Sequence, residues 1–231
     1  VLAVSFNGTF GAPGAGASAK QSAKAVFAAA RARLIKESQL AGQWTSSSYG
    51  AGSSGGGSGS SGGPGDSINV SQCKNVSEPG VDQNPYFVEG DYFDQKGTNA
   101  ELQEEIDVYP TAKQASKDVE FTTSSAFQSC YLTLFSQQKS SIAAGVGKGA
   151  TVGTIAIEPV PIAKYGQRSA EFRLVVPIVY QGATVDLDYD YVAMAVGKYE
   201  AELDESDLPT PLPATIAANF EQAVVHSLKD G

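Results

Sequence analysis

Apolar positions along this chain follow two periods, and the change from one to the other divides it. Over 18–40, Ala23, Phe27, Ala30 and Leu34 recur on one helical face, and Ser18 with Gln21 has capping-box spacing. From Ile68 onward alternation takes over. Short strands are expected over 86–92 and 102–109, the second alternating through Leu102, Glu104, Ile106 and Val108 until Pro110 stops it. Thr111 with Gln114, and Ser125 with Gln128, predict the starts of two helices, the second carrying Phe127, Cys130, Tyr131 and Leu134 on one side.

Longer strands are expected next. The stretch 152–162 includes Ile155 and Ile157, but Pro159 and Pro161 confine its end to a sheet edge. The stretch 169–180 places Ala170, Phe172, Leu174 and Val176 on one face, and Pro177 implies a bulge or an edge position. The stretches 184–195 and 199–204 read as a hairpin about Val196, Gly197 and Lys198. Pro213 opens a last helix with Ile216, Phe220, Val224 and Leu228 at four-residue spacing. The fold class expected is α+β: a mainly antiparallel sheet with helices packed on one face, preceded by a separate N-terminal helix.

Composition sharpens the division. In 46–65, Gly and Ser fill 17 of 20 positions, so burial cannot offset the ordering entropy and a flexible tether is expected. Three parts follow: an N-terminal segment 1–45, a linker 46–65, and an α+β domain 66–231. The first carries Lys20, Lys24, Arg31, Arg33 and Lys36 against Glu37, whereas the whole 231-residue chain has a net charge of −9. Such a chain disfavours nucleic acid and anionic membrane surfaces as partners. No apolar run approaches the ~18 residues of a membrane span. The helix over 18–40 needs a surface for its apolar stripe, and docking on the acidic domain or on a partner chain supplies one.

The single Met is at position 194, so Val1 reads as a processed or cut end. Residues 1–4 read either as the tail of a removed signal or upstream span, or as a short strand. Asn7, Asn69 and Asn75 each open a glycosylation triplet. Cys73 and Cys130, an even pair at wide spacing, fit one disulfide; the alternative is two buried thiols in a cytosolic protein.

Candidate chemistry is sparse. The glycine-rich 145–151 lacks the Ser or Thr that follows lysine in a phosphate loop and lies between helix and strand, so it reads as a turn. Asp186, Asp188 and Asp190 alternate on one strand face, with Tyr191 where a calcium loop has its glycine. They read as a solvated face balanced by Arg173 or Arg168, or as a surface for a cation or basic ligand. Leu187, Tyr189 and Tyr191, on the opposite face, belong to the core. His226, the only imidazole, projects away from the last helix's apolar stripe and suits the helix dipole there. No catalytic residue, metal ligand or cofactor is expected.

The run Val108-Tyr-Pro-Thr-Ala-Lys-Gln-Ala115, followed by helical Cys130, resembles the strand–helix–helix stretch of actinobacterial extracytoplasmic sensor domains of the PknH type and related lipoproteins. Residues 166–173 are similar to their next recurring strand, and 216–228 to their closing helix. The resemblance covers about 68–231 and implies a non-enzymatic sensor or binding module outside the membrane. The chain departs from the family in having two cysteines where the PknH domain has two disulfides, so no ligand residue carries over.

The leading expectation is thus an anchored or secreted extracytoplasmic sensor or ligand-binding domain, its concave side lined by Arg168, Glu171, Arg173, Asp186 and Asp188. Its partner would be a small molecule or protein, with the membrane reached only through an upstream anchor and a homo-oligomer allowed. The alternatives are an assembly protein whose basic helix docks on an acidic domain, and a hydrolase using carboxylates.

Overall fold

The computed structural model describes residues 17–47, 73, 86–207 and 210–230, with side chains from residue 23. Residues 1–4, the three asparagine triplets, the side chains of Ser18 and Gln21, and 48–65 of the expected tether lie outside the described residues. The elements in chain order are α1 (Ala17–Arg31), a 3-10 turn (Glu37–Gln39), β1 (Trp44–Ser47), β2 (Tyr86–Gln95), β3 (Ala100–Val108), α2 (Ala112–Thr122), α3 (Ser125–Gln137) and α4 (Lys139–Val146). Then come β4 (Thr151–Val152), β5 (Ala156–Pro159), β6 (Arg168–Tyr180), β7 (Ala183–Val196), β8 (Tyr199–Asp207) and α5 (Ala214–Asp230). No helix among the described residues is long and apolar enough to cross a membrane.

The fold is α+β, one antiparallel sheet in the order β1-β2-β3-β8-β7-β6-β4, with β5 also on β6 and a separate N-terminal helix ahead of it. Local chemistry explains most boundaries. Thr111 caps α2 by accepting from the Gln114 amide at 3.2 Å. The cap of α3 is Ser124, one residue before the expected Ser125, because its hydroxyl accepts from the Phe127 amide at 3.1 Å. The β7–β8 hairpin turns at Gly197, whose φ of 63° suits the first of two turn residues. The strand expected over 152–162 is split into β4 and β5. Pro177 lies opposite that break, where its carbonyl accepts from the Gly153 amide at 2.7 Å.

Alternation along β7 sends its side chains to two packed faces. Leu187, Tyr191, Ala193 and Ala195 join a core with Phe172, Leu174 and Val176 of β6 and the α2–α4 layer. This is the helix-covered face that the alternation predicted. Its centre is aromatic: Phe172 stacks on Tyr191 at 5.0 Å between ring centroids, and Tyr131 meets Phe172 edge-on at 5.3 Å. The Cys73–Cys130 disulfide is formed, with Cα atoms 5.5 Å apart, and ties the segment before β2 to α3 within this layer.

The other face of β7 is covered too. Val192, Met194 and Val196 pack with Leu102, Ile106 and Leu203 under α5 and the N-terminal segment, through Phe220, Val224, Ala30, Ile35 and Trp44. The N-terminal segment therefore finds its surface on its own chain. Its helix ends at Arg31 rather than near Leu40, because tertiary partners capture the backbone that would continue it. The Arg33 carbonyl accepts from Ser227 of α5, and the Ile35 amide donates to Glu104 Oε2 at 2.9 Å. Gly90, at the β2 bulge, leaves the room that Leu34 fills. The guanidinium of Arg33 sits 4.4 Å from the Tyr199 ring centroid.

Glu104 is fully buried, and burial pushes its carboxyl up to about 8, against a smaller lowering by the Ile35 amide. Folding thus holds a proton that the unfolded chain has lost, so this contribution to stability is complete below pH 4.5 and disappears as pH rises to about 8. The melting temperature is expected to fall over that interval. Glu104→Gln should flatten part of the fall and raise the melting temperature at pH 8, measured by circular dichroism across the pH range.

Candidate functional site

Where strand register places acids opposite one another, the sheet builds its most concentrated chemistry. On the α5 face, Arg173 of β6 pairs with Asp190 of β7, and Asp190 pairs with Glu205 of β8. The guanidinium makes two parallel hydrogen bonds, Nε to Oδ1 and Nη2 to Oδ2, both 2.7 Å. Glu171, two residues along β6, and Asp188 and Asp186, two and four residues along β7, point the same way. From above, Glu221 of α5 is buried against this group, with the Tyr165 hydroxyl hydrogen-bonded to it. Tyr165 is brought there by the turn at Gly166, where a Cβ would lie 2.1 Å from the Ala195 carbonyl oxygen.

Of the five residues expected to line one surface, four share this face and Arg168 does not. Arg168 is paired in register with Ala195, on the α2–α4 side, and its guanidinium lies 3.5 Å from Glu120 of α2. The Asp ladder is also not one solvated face. Asp186 is exposed, Asp188 half-buried, and Asp190 only 4% exposed, because α5 closes over the end nearest β8.

The acids respond to burial and to each other. Glu171 is pushed up to about 7, mainly by burial and then by Asp190 and Glu221, with Arg173 pulling the other way. Glu205 stands well above the carboxylate range through burial first, then Glu221, Glu171 and Asp190. Glu221 is raised by burial, which the Tyr165 hydrogen bond partly offsets. The arrangement is a file of carboxyl groups around one guanidinium, wet at Asp186 and dry at Glu205.

A second acidic group occupies the opposite face. Asp107 at the end of β3, Asp118 of α2, and Glu200 and Glu202 of β8 bring carboxylate oxygens within 4.8 Å of one another. The Tyr109 hydroxyl donates to Asp118 Oδ2 at 2.7 Å. Such an all-oxygen set at this spacing can hold a hard divalent cation. Sequence reasoning missed these four, and also Glu205, Glu221 and Tyr165. One signal was present: 200–206 places acids at both parities of a single strand, so both faces of that strand receive them. His226, by contrast, is exposed in the last turn of α5, with Nδ1 3.0 Å from Asp230.

No protein-family model matches the chain, and no curated protein matches it in sequence. Among solved structures, the extracellular domain of PknH from Mycobacterium tuberculosis is similar, at 10% sequence identity and a TM-score of 0.32, over 63% of this chain. The match spans 64% of the length of that domain.

The Arg173–Asp190 pair is expected to be the electrostatic keystone of the α5 face. Removing Arg173 strands the Asp190 charge beside Glu205, at a cost of about 3 kcal/mol. Arg173→Met should show that loss in urea denaturation at neutral pH, and the double variant Arg173→Met/Asp190→Asn should recover most of it. Additive losses in the two single variants and the double would refute the coupling.

Proposed function

We propose that this chain is an extracytoplasmic binding or sensor domain, secreted or held by an anchor, that engages its ligand through buried acidic groups and catalyses no turnover of its own. The observation that carries this reading is the Cys73–Cys130 bridge in the core of the α2–α4 layer. Structural disulfides persist in oxidising compartments and are rare in the cytosol. This one closes a span of 57 residues, so that segment is constrained in the unfolded chain.

The acidic face supports the binding half of the proposal. Arg173 and Asp190 form a bidentate pair of the kind used to recognise planar charged groups, with further acids alongside. The chain's one imidazole is exposed in the last turn of α5, where it is engaged with Asp230. A carboxyl group held near neutrality, as at Glu171, beside one that burial pushes upward, as at Glu205, is suited to trading protons for a ligand's charge.

Native material analysed by intact mass spectrometry without reductant is expected to be lighter by two hydrogen atoms than the reduced chain. Reduction should lower unfolding stability by about 4 kcal/mol, from the loop closed by the bridge. Two free thiols in protein taken directly from its source would overturn the compartment assignment.

A further inference from the structure

The acids around Asp190 on the α5 face outnumber the one guanidinium seated among them. Arg173 is committed to Asp190 through both of its hydrogen bonds. Among the described residues, Arg173 is the cation that acts on Glu171, and none acts on Glu205 or Glu221. Glu205 is 2% exposed, and neither of its carboxyl oxygens has a hydrogen-bond partner among the described residues. A buried polar group in that condition costs about 1–3 kcal/mol. It is directly opposite Asp190 in the strand register, beside the acid that already holds a guanidinium.

Acids and a hydroxyl reach this region from several elements: Asp190 from β7, Glu171 from β6, Glu221 from α5, and Tyr165 from the loop before β6. On its other side β3 sets apolar Leu102 opposite Glu205, with Glu104 two residues along the same face. Exposure increases from Glu205 and Asp190 to the partly exposed Arg173 and Glu171, so the file has a closed end and an open one.

We propose that the acidic file Glu205–Glu221–Glu171 is a binding site for a guanidinium-bearing organic cation, seated beside Arg173–Asp190 and repeating its geometry. The inference rests on the reading of the chain as a binding domain and names the class of ligand. A planar guanidinium offers parallel N–H donors that match both oxygens of one carboxylate, which is what Glu205 lacks. A divalent ion fits less well. Among the described residues, the Asp107 group on the other face is where three or more carboxylate atoms come within 4.8 Å, and the α5-side acids are not gathered so closely. Binding exchanges protons for the ligand: a guanidinium stays charged throughout, while Glu171 and Glu205 must ionise to receive it. Affinity therefore rises with pH.

Agmatine, a guanidinium amine without a carboxylate, is the probe. Isothermal titration of the full chain with agmatine at about pH 8 is expected to give saturable one-to-one binding with proton release, seen as a dependence of the heat on the buffer's ionisation enthalpy. Affinity should weaken as pH falls towards about 5.5. Glu205→Gln and, independently, the more exposed Glu171→Gln should each weaken binding about tenfold. Asp91→Asn, on the exposed bulge of β2, should leave it unchanged. Absence of saturable binding to the folded wild-type chain, indifference to both glutamine variants, or displacement of agmatine by an equal concentration of calcium would each overturn the proposal. If the bridge is intact and agmatine does not bind, this inference fails alone; if agmatine binds but both thiols are free, the compartment assignment fails and the site stands.

Discussion

A carboxylate removed from water has to be neutralised by a proton, a cation or a dense set of donors, and this sheet removes many of them. Its central strands β3 and β8 are buried on both faces, and both carry acids at alternating and non-alternating positions. Glu104, Asp107, Glu200 and Glu205 are all nearly inaccessible. The consequences run through the molecule. Glu104 keeps its proton and anchors the N-terminal segment, Asp190 takes Arg173, and Glu205 is left to burial and to whatever comes to it.

The two-faced sheet also explains why the ends of the chain matter to its middle. The α2–α4 layer covers one face with aromatic side chains and is fastened to the segment before β2 by the disulfide. Among the described residues, the second face has no comparable layer of consecutive helices. It is assembled from the first described helix, the edge strand β1 and the last helix, which meet through Ser227 and the Arg33 carbonyl. Local sequence contributes little to that meeting. It depends on backbone groups that become available only because α1 stops at Arg31.

Charge organisation then separates two kinds of site. On the α2–α4 side, four carboxylates converge from three elements with the spacing of an ion site. On the α5 side, the acids run in a file along neighbouring strands, with one guanidinium already seated. The strand spacing of about 4.8 Å makes such a file a natural match for a flat or elongated cation rather than a point charge.

Much of this was determined by the sequence alone. The periods of 2 and 3.6, the Thr111 cap, the Gly197 hairpin, the Pro213 helix start and the alternation of Ala170, Phe172, Leu174 and Val176 are local, because backbone sterics and side-chain direction act over a few residues. So was the common direction of Glu171 and Arg173, which strand parity settles. What only the tertiary structure decided is which strands are neighbours and which faces are covered. The same parity sets Arg168, three residues before Glu171 on β6, on the other face, whereas α5 turned Asp190 from a solvated rung into a buried one, and the order β3-β8-β7 brought Glu205 opposite Asp190. Those are pairings between residues distant in the chain, and no short-range propensity encodes the partner across a sheet.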